Sequence, residues 1–292
     1  MAVLIDPPTW PAHGTVFSHL VSTASLEELH AFAAAAGIPR RAFDEDHYDV
    51  PARRYRDLVV QGAQEVTGAD LVRSLIASGL RVPARRRAPK LRAALMSRWE
   101  VLMPGVPGLG GELLDRWSEA HREYHTPTHL LGVLEGLDLL LEPTDEPLRR
   151  VVILAAWFHD AVYEGIAGQD ERASASLAVQ HLEGSMPDAV VRDVERLVLL
   201  TAAHDPAPGD RAGHLLCDAD LAVLAGTPEA YTRYAAAIRG EYRHLPQDAF
   251  TAGRRAVLQR LLTLEPLYRT AIAQAEWTGP ARRNLAQELA SL

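Results

Sequence analysis

Four side chains in the second half of this 292-residue chain stand where a polar group needs a partner. His159 and Asp160 close the apolar run Val151–Phe158 in "AAWFHDAVYEG", His129 lies in "TPTHLLGVLEG", and Asp220 lies in "CDADLAVLAG" at the start of another aliphatic stretch. An unpaired carboxylate against an apolar wall costs several kcal/mol or more, so such placement calls for a counter-charge or a metal ion. Imidazole nitrogens and carboxylate oxygens together suit divalent Mn, Fe, Zn, Ni, Co or Mg, with geometry selecting among them. Singly, each has an ordinary explanation: a histidine satisfied within a core, or an aspartate capping a helix. Separations of 30 residues (His129 to His159) and 60 residues (Asp160 to Asp220) decide nothing, because ligands on separate helices meet only through the fold.

The elements that must position these groups are helical. "LRAALMSRWEVLM" and "GELLDRWSEAH" are amphipathic, and "TPTHLLGVLEGLDLLLE" opens with Thr126 as N-cap and Pro127 at the first helical position. "EPLRRVVILAAWFHD" is apolar on all sides and is expected to be a central, fully buried helix. "ERASASLAVQHLEG", "DAVVRDVERLVLLTAAH", "PEAYTRYAAAIRGEY", "DAFTAGRRAVLQRLL" and "PLYRTAIAQAE" continue the pattern. Residues 88–292 therefore predict an all-helical domain, preceded over residues 1–87 by a small α/β domain; the fold class is mainly α. In that first domain Val3–Ile5 reads as a buried strand stopped by Pro7 and Pro8. Ser25, Glu28 and Gly37 bound a helix with a capping box, "YRDLVVQGAQE" and "TGADLVRSLIASG" predict two more helices, and "GLRV" predicts a strand. "VPARRRAPK" reads as a basic, proline-flanked linker.

Charge is uneven. Residues 1–90 carry 11 basic and 10 acidic side chains, and residues 91–292 carry 19 and 28. An acidic second half disfavours extended contact with a phosphate backbone, which argues against nucleic acid as partner, and suits a carboxylate-built metal site. No stretch reaches the roughly 18 apolar residues of a membrane span, and "MAVLIDPPTW" lacks the basic start of a secretory signal. The single Cys217 fits a reducing cytoplasm, the location we expect, and reads as a small core residue. Homo-oligomerisation is compatible with the sequence but not specified by it.

The order His, His-Asp, Asp on successive helices resembles the HD superfamily of metal-dependent phosphohydrolases. "REYHTPTHL", "WFHDAVYE", "DERASASLA", "LTAAHD", "CDADLAVLAG", "AGRRAVLQRLL" and "ARRNLAQEL" follow one another much as in a bacterial subfamily of predicted phosphohydrolases, and the resemblance covers residues 91–292. It implies an all-helical fold, one or two divalent ions, and a small phosphorylated substrate, with a nucleotide as the first choice. It implies His129, His159, Asp160 and Asp220 as ligands, with His125 the alternative for the first histidine and Asp218 the alternative for the last aspartate. His204, and with less support His181, correspond to positions that some members use for further ligands. Glu164 and Glu171 follow the His-Asp pair and could act as general base or bind a water, while a helix start equally accounts for acidic residues there. His121, Arg122, His125 and Arg254 could hold phosphate oxygens or protonate a leaving oxygen. No P-loop, GxGxxG or GxSxG is present. Two other readings remain open, a dinuclear-iron oxygenase and a non-catalytic sensor of a nucleotide or metabolite.

Residues 1–87 resemble a separate small bacterial domain of unknown function, through "DPPTW", "SHL", "EELHAFA", "HYDVP" and "GLRV". Asp6, His19, His30, His47, Tyr48 and Asp49 form a second set of polar candidates there. Their spacing matches no metal motif, and a structural loop network explains them equally well.

Overall fold

The computed structural model describes residues 2–12, 14–81, 88–166 and 168–292. The chain divides into two compact units, Met1–Lys90 and Leu91–Leu292. The basic linker expected at 83–90 lies outside the described residues up to 87, and 88–90 form the first turn of a helix.

The first unit is a six-stranded sheet with helices on both faces. Its strands are β1 (Val3–Ile5), β2 (Trp10–Ala12), β3 (Thr15–Ser22), β4 (Phe43–Asp44), β5 (His47–Pro51) and β6 (Gln64–Glu65). They run in the order β4-β5-β3-β1-β6, with β2 pairing β3. All pairs are antiparallel except β1 with β6. Alternation along each strand sorts the side chains. Ile5, Leu20, Tyr48 and Val50 form one core with α1 (Leu26–Ala35) and α2 (Tyr55–Val60). Leu4 and Val21 pack instead with Leu71 and Leu75 of α3 (Gly68–Ala77).

Ser25 caps α1 by accepting the Glu28 N–H, as expected. The expected return arm of the capping box is absent, because the Glu28 carboxylate accepts the Ser22 hydroxyl instead. Gly37, at φ +70°, turns the chain out of the helix. "YRDLVVQGAQE" is not one helix: α2 stops at Val60, and Gly62 at φ +111° turns the chain into β6. Residues 79–81 of "GLRV" are not in a strand, and Val82 lies outside the described residues.

The second unit is helical throughout its described residues. Its elements are α4 (Ala88–Leu102), α5 (Pro107–Trp117), α6 (Pro127–Leu140), α7 (Glu146–Phe158), α8 (Asp170–Leu182) and α9 (Asp188–Leu200). After them come α10 (Arg211–Asp220), α11 (Pro228–Glu241), α12 (Gln247–Thr263), α13 (Ala271–Glu276) and α14 (Thr278–Ser291). Helix α7 packs against α6, α8, α9 and α10. It is buried over Val151–Phe158 apart from a partly exposed Ile153, but its first turns carry Glu146 and Arg150 to solvent, so it is not buried end to end. Gly136 lets α6 approach α10 closely: a Cβ there would stand 3.3 Å from the Cα and Cβ of Ala219. Thr126 has the extended backbone of an N-cap, yet its hydroxyl makes no capping bond. No helix among the described residues is long and apolar enough to cross a membrane.

Candidate metal centre

Three helix ends converge on one point. The first turn of α6 supplies His129, the residues closing α7 supply His159 and Asp160, and the last residue of α10 is Asp220. Asp220 thus ends a helix, and the aliphatic run after it is only a short 3₁₀ segment, Leu221–Ala225. His129 Nε2 stands 3.3 Å from His159 Nε2 and 3.0 Å from Asp220 Oδ1. His159 Nε2 stands 3.4 Å from Asp220 Oδ1 and 3.1 Å from Asp160 Oδ2. Donors sharing one ion at roughly 2.1 Å lie about 3 to 3.5 Å from each other, so this spacing fits a common cation.

The backing of these groups follows from packing. His159 Nδ1 donates to the Ala156 carbonyl at 2.8 Å, which turns Nε2 inward. Behind the pair lies Trp117, its ring 5.3 Å from that of His159 and 6.0 Å from that of His129. Its indole N–H donates to the Trp157 carbonyl at 3.0 Å, fixing the platform to α7. On the outer side His204 Nε2 approaches Asp220 Oδ2 at 2.7 Å. His204 follows α9 with φ +51°, a left-handed backbone that costs a non-glycine residue about 1 kcal/mol or more.

Burial works against charge on Asp160 and Asp220, but the neighbouring His159 charge and imidazole hydrogen bonds hold both carboxyls below their ordinary range. Burial likewise works against His159, yet the two carboxylates raise its pKa well above the usual value. Burial lowers the pKa of His129, and the His159 and His125 charges add to that effect against the pull of Asp220.

A cavity of about 350 Å³ opens over the cluster, reaching Asp160, Asp220, His204 and His125. Its far walls include the apolar side chains of Ile238, Leu245, Phe250 and Val257. His125 is stacked on Tyr163 with ring centroids 4.0 Å apart. Its Nδ1 pairs with Glu241 Oε2 at 2.7 Å, and its Nε2 stands 3.8 Å from Asp160 Oδ2. Glu241 ends α11 and ties down the segment before α6: Oε1 accepts the backbone N–H groups of Glu123, Tyr124 and His125, and Oε2 also accepts the Tyr163 hydroxyl. Burial opposes its charge, but the bonds from His125 and the backbone bring its pKa to about 2. Nothing in the spacing of "IRGEYRHLP" points to Glu241, because its role depends on a partner 116 residues away.

The other sequence candidates fall elsewhere. Arg122 is buried and its guanidinium is spent on the carbonyls of His125, Asp160 and Ala161 and on Glu119, so it braces the loop and does not face the cavity. Asp218, two residues before Asp220 on α10, points away and accepts the Arg269 and Thr270 N–H groups at the start of α13. Glu164 is exposed, with its N–H donated to Asp170, and does not line the cavity. His181 lies 3.5 Å from Glu112 on α5, also off the cavity. His121 donates to the Tyr163 carbonyl. Glu171 does line the cavity while accepting the Gly168 N–H. Arg254 lines it too, but its guanidinium is held by Glu288 at 2.7 and 2.9 Å and by the Tyr234 hydroxyl.

Comparison with known proteins adds to the first unit alone. None of the curated proteins or solved structures compared with the chain matches it. Residues 3–78 match the family described as "Protein of unknown function (DUF4031)".

Proposed function

We propose that residues 91–292 form a divalent-metal-dependent phosphohydrolase of the HD superfamily, acting on a nucleotide or another small phosphate ester. The observation carrying this reading is the convergence of His129, His159 and Asp220, with Asp160 Oδ2 3.1 Å from His159 Nε2, beside a cavity of ligand size that Asp160 and Asp220 line. Two imidazole nitrogens and two carboxylate oxygens at these separations suit Mn, Fe, Zn, Ni or Co better than the all-oxygen shell preferred by Mg. Such an ion supplies Lewis acidity towards a phosphoryl oxygen and makes water more acidic.

The chain's own residues do the rest. Asp160 faces both the ion position and His125, and orients the attacking water. His125, held at Nδ1 by Glu241, presents Nε2 to the cavity and gives a proton to the leaving oxygen. Arg254 is neutralised by Glu288, so phosphate charge would be met by a bound ion and His125 instead of an arginine clamp. The apolar far walls suit a substrate with an apolar or aromatic portion, as a nucleobase provides.

The test is metal analysis of the wild type and Asp160→Ala together with a phosphatase and nucleotidase screen of the metal-loaded chain. Loss of one metal equivalent and of turnover in the variant is expected; unchanged metal content sinks the reading. A dinuclear-iron oxygenase draws on one observation, that Asp220 turns Oδ1 to the histidine pair and Oδ2 to His204. Two iron ions per helical unit with no phosphate release would favour it.

A further inference from the structure

Strand register brings a second set of ligand-type side chains together in the sheet unit. His47 and Asp49 are two residues apart on β5 and share a face. His19 on β3 is the register partner of Asp49, so it projects from the same face directly across the ladder. His47 Nε2 lies 3.3 Å and His19 Nε2 lies 4.0 Å from the same oxygen, Asp49 Oδ1. One nitrogen of each histidine and one oxygen of Asp49 fall within 4.8 Å of one another.

We infer that His19, His47 and Asp49 bind a divalent transition-metal ion, in a site separate from the helical one and independent of its assignment. The second nitrogen of each histidine is the reason to prefer this over an ion-pair network. His19 Nδ1 pairs with Asp6 Oδ2 at 2.9 Å, and His47 Nδ1 pairs with Asp46 Oδ1 at 2.6 Å. Each imidazole therefore has a carboxylate on Nδ1 and turns Nε2 towards a third carboxylate. Carboxylate–histidine pairs of this kind orient metal-binding imidazoles and make them better donors. Asp6 is itself held, since its other oxygen accepts the His19 N–H at the end of β1, and Asp46 is fully buried beside Arg81.

Two histidines and one carboxylate leave coordination positions open, as in exchangeable sites and unlike closed structural zinc sites. The open side is reachable: Asp49 is half-exposed, and Trp10, 60% exposed on β2, has its ring 6.2 Å from that of His19. The site thus takes Fe, Co, Ni or Zn together with small oxygen ligands from solvent. His30 and Tyr48 take no part; they bond to each other on the opposite face at 2.9 Å and pack on Phe43.

Titration of the metal-stripped full chain with cobalt(II), read by its visible absorption and by tryptophan emission, tests the inference. In an Asp160→Ala chain, which lacks a ligand of the helical cluster, cobalt should still bind at one equivalent and quench emission, and Trp10→Phe should remove that quenching. Asp49→Asn, at a half-exposed position, should weaken this binding at least tenfold, as should His47→Gln. In the otherwise wild-type chain Asp49→Asn should remove one equivalent and leave the other. Wild-type cobalt affinity in folded Asp49→Asn overturns the sheet site. Undiminished cobalt in Asp160→Ala with a normal loss in Asp49→Asn overturns the helical assignment alone.

Discussion

In the helical unit His129, His159 and Asp220 meet because three helices begin or end at one point, whereas in the sheet unit His19, His47 and Asp49 meet because two strands are in register. The first arrangement depends on core packing: the histidine pair is nearly fully buried and backed by the Trp117 indole. The second depends on a hydrogen-bond ladder and on neighbouring carboxylates, with Asp49 half in solvent. Distant residues can thus be aimed at one point either by the volume of a core or by the two-residue period of a strand. The two should fail differently when disturbed.

The largest effect is expected where packing carries the geometry. Trp117→Ala empties a large volume behind the histidine pair and should cost about 3–5 kcal/mol, seen as a fall in the thermal midpoint. Asp220→Asn should reduce turnover roughly 1000-fold, about 4 kcal/mol, in steady-state assays, while leaving cobalt at the sheet site.

Acid should also separate the two regions. Glu241 has a pKa of about 2 against 4.5 for an ordinary glutamate. A lowered carboxyl pKa stabilises the fold above the unfolded value and loses that contribution as pH falls through the folded one. Glu241 should therefore contribute about 3 kcal/mol that disappears between roughly pH 4.5 and 2. Denaturant midpoints measured across this range should fall less steeply in Glu241→Gln.

Smaller still is the effect of the carboxylates that orient the sheet histidines. Asp6→Asn should weaken metal binding at the sheet site by about 10- to 100-fold in cobalt titrations. At the helical site a backbone carbonyl, not a carboxylate, orients His159. Equal losses at both sites would erase the distinction.

Much of the helical architecture was legible in the sequence because long apolar periodicities and helix starts survive in a one-dimensional reading. That His129, His159, Asp160 and Asp220 lie close together was expected from the resemblance of their motif order. Glu241 and the idle roles of Arg122 and Asp218 were not, since each is decided by a hydrogen-bond partner remote in sequence. In the sheet unit β1 was readable, while β2, β4 and β6 have only two or three residues and no period to detect. In β3, Ser18 and Ser22 stand buried at positions where alternation calls for apolar residues. The polar set of "DEDHYDV" was visible, but its division into two faces became clear only when His19 was seen opposite Asp49.

If the helical cluster holds the ion proposed for it, the missing side chain at Gly136 bears on which ion it prefers. Ala219 sits against it and immediately precedes Asp220, so the width of that contact acts as a spacer on the carboxylate. Gly136→Ala would push α10 and α6 apart by a few tenths of an ångström and should lengthen the distance from Asp220 to His129. A cage enlarged by that amount should trade zinc for manganese, and competition between the two metals would read helix spacing as a preference for ionic radius.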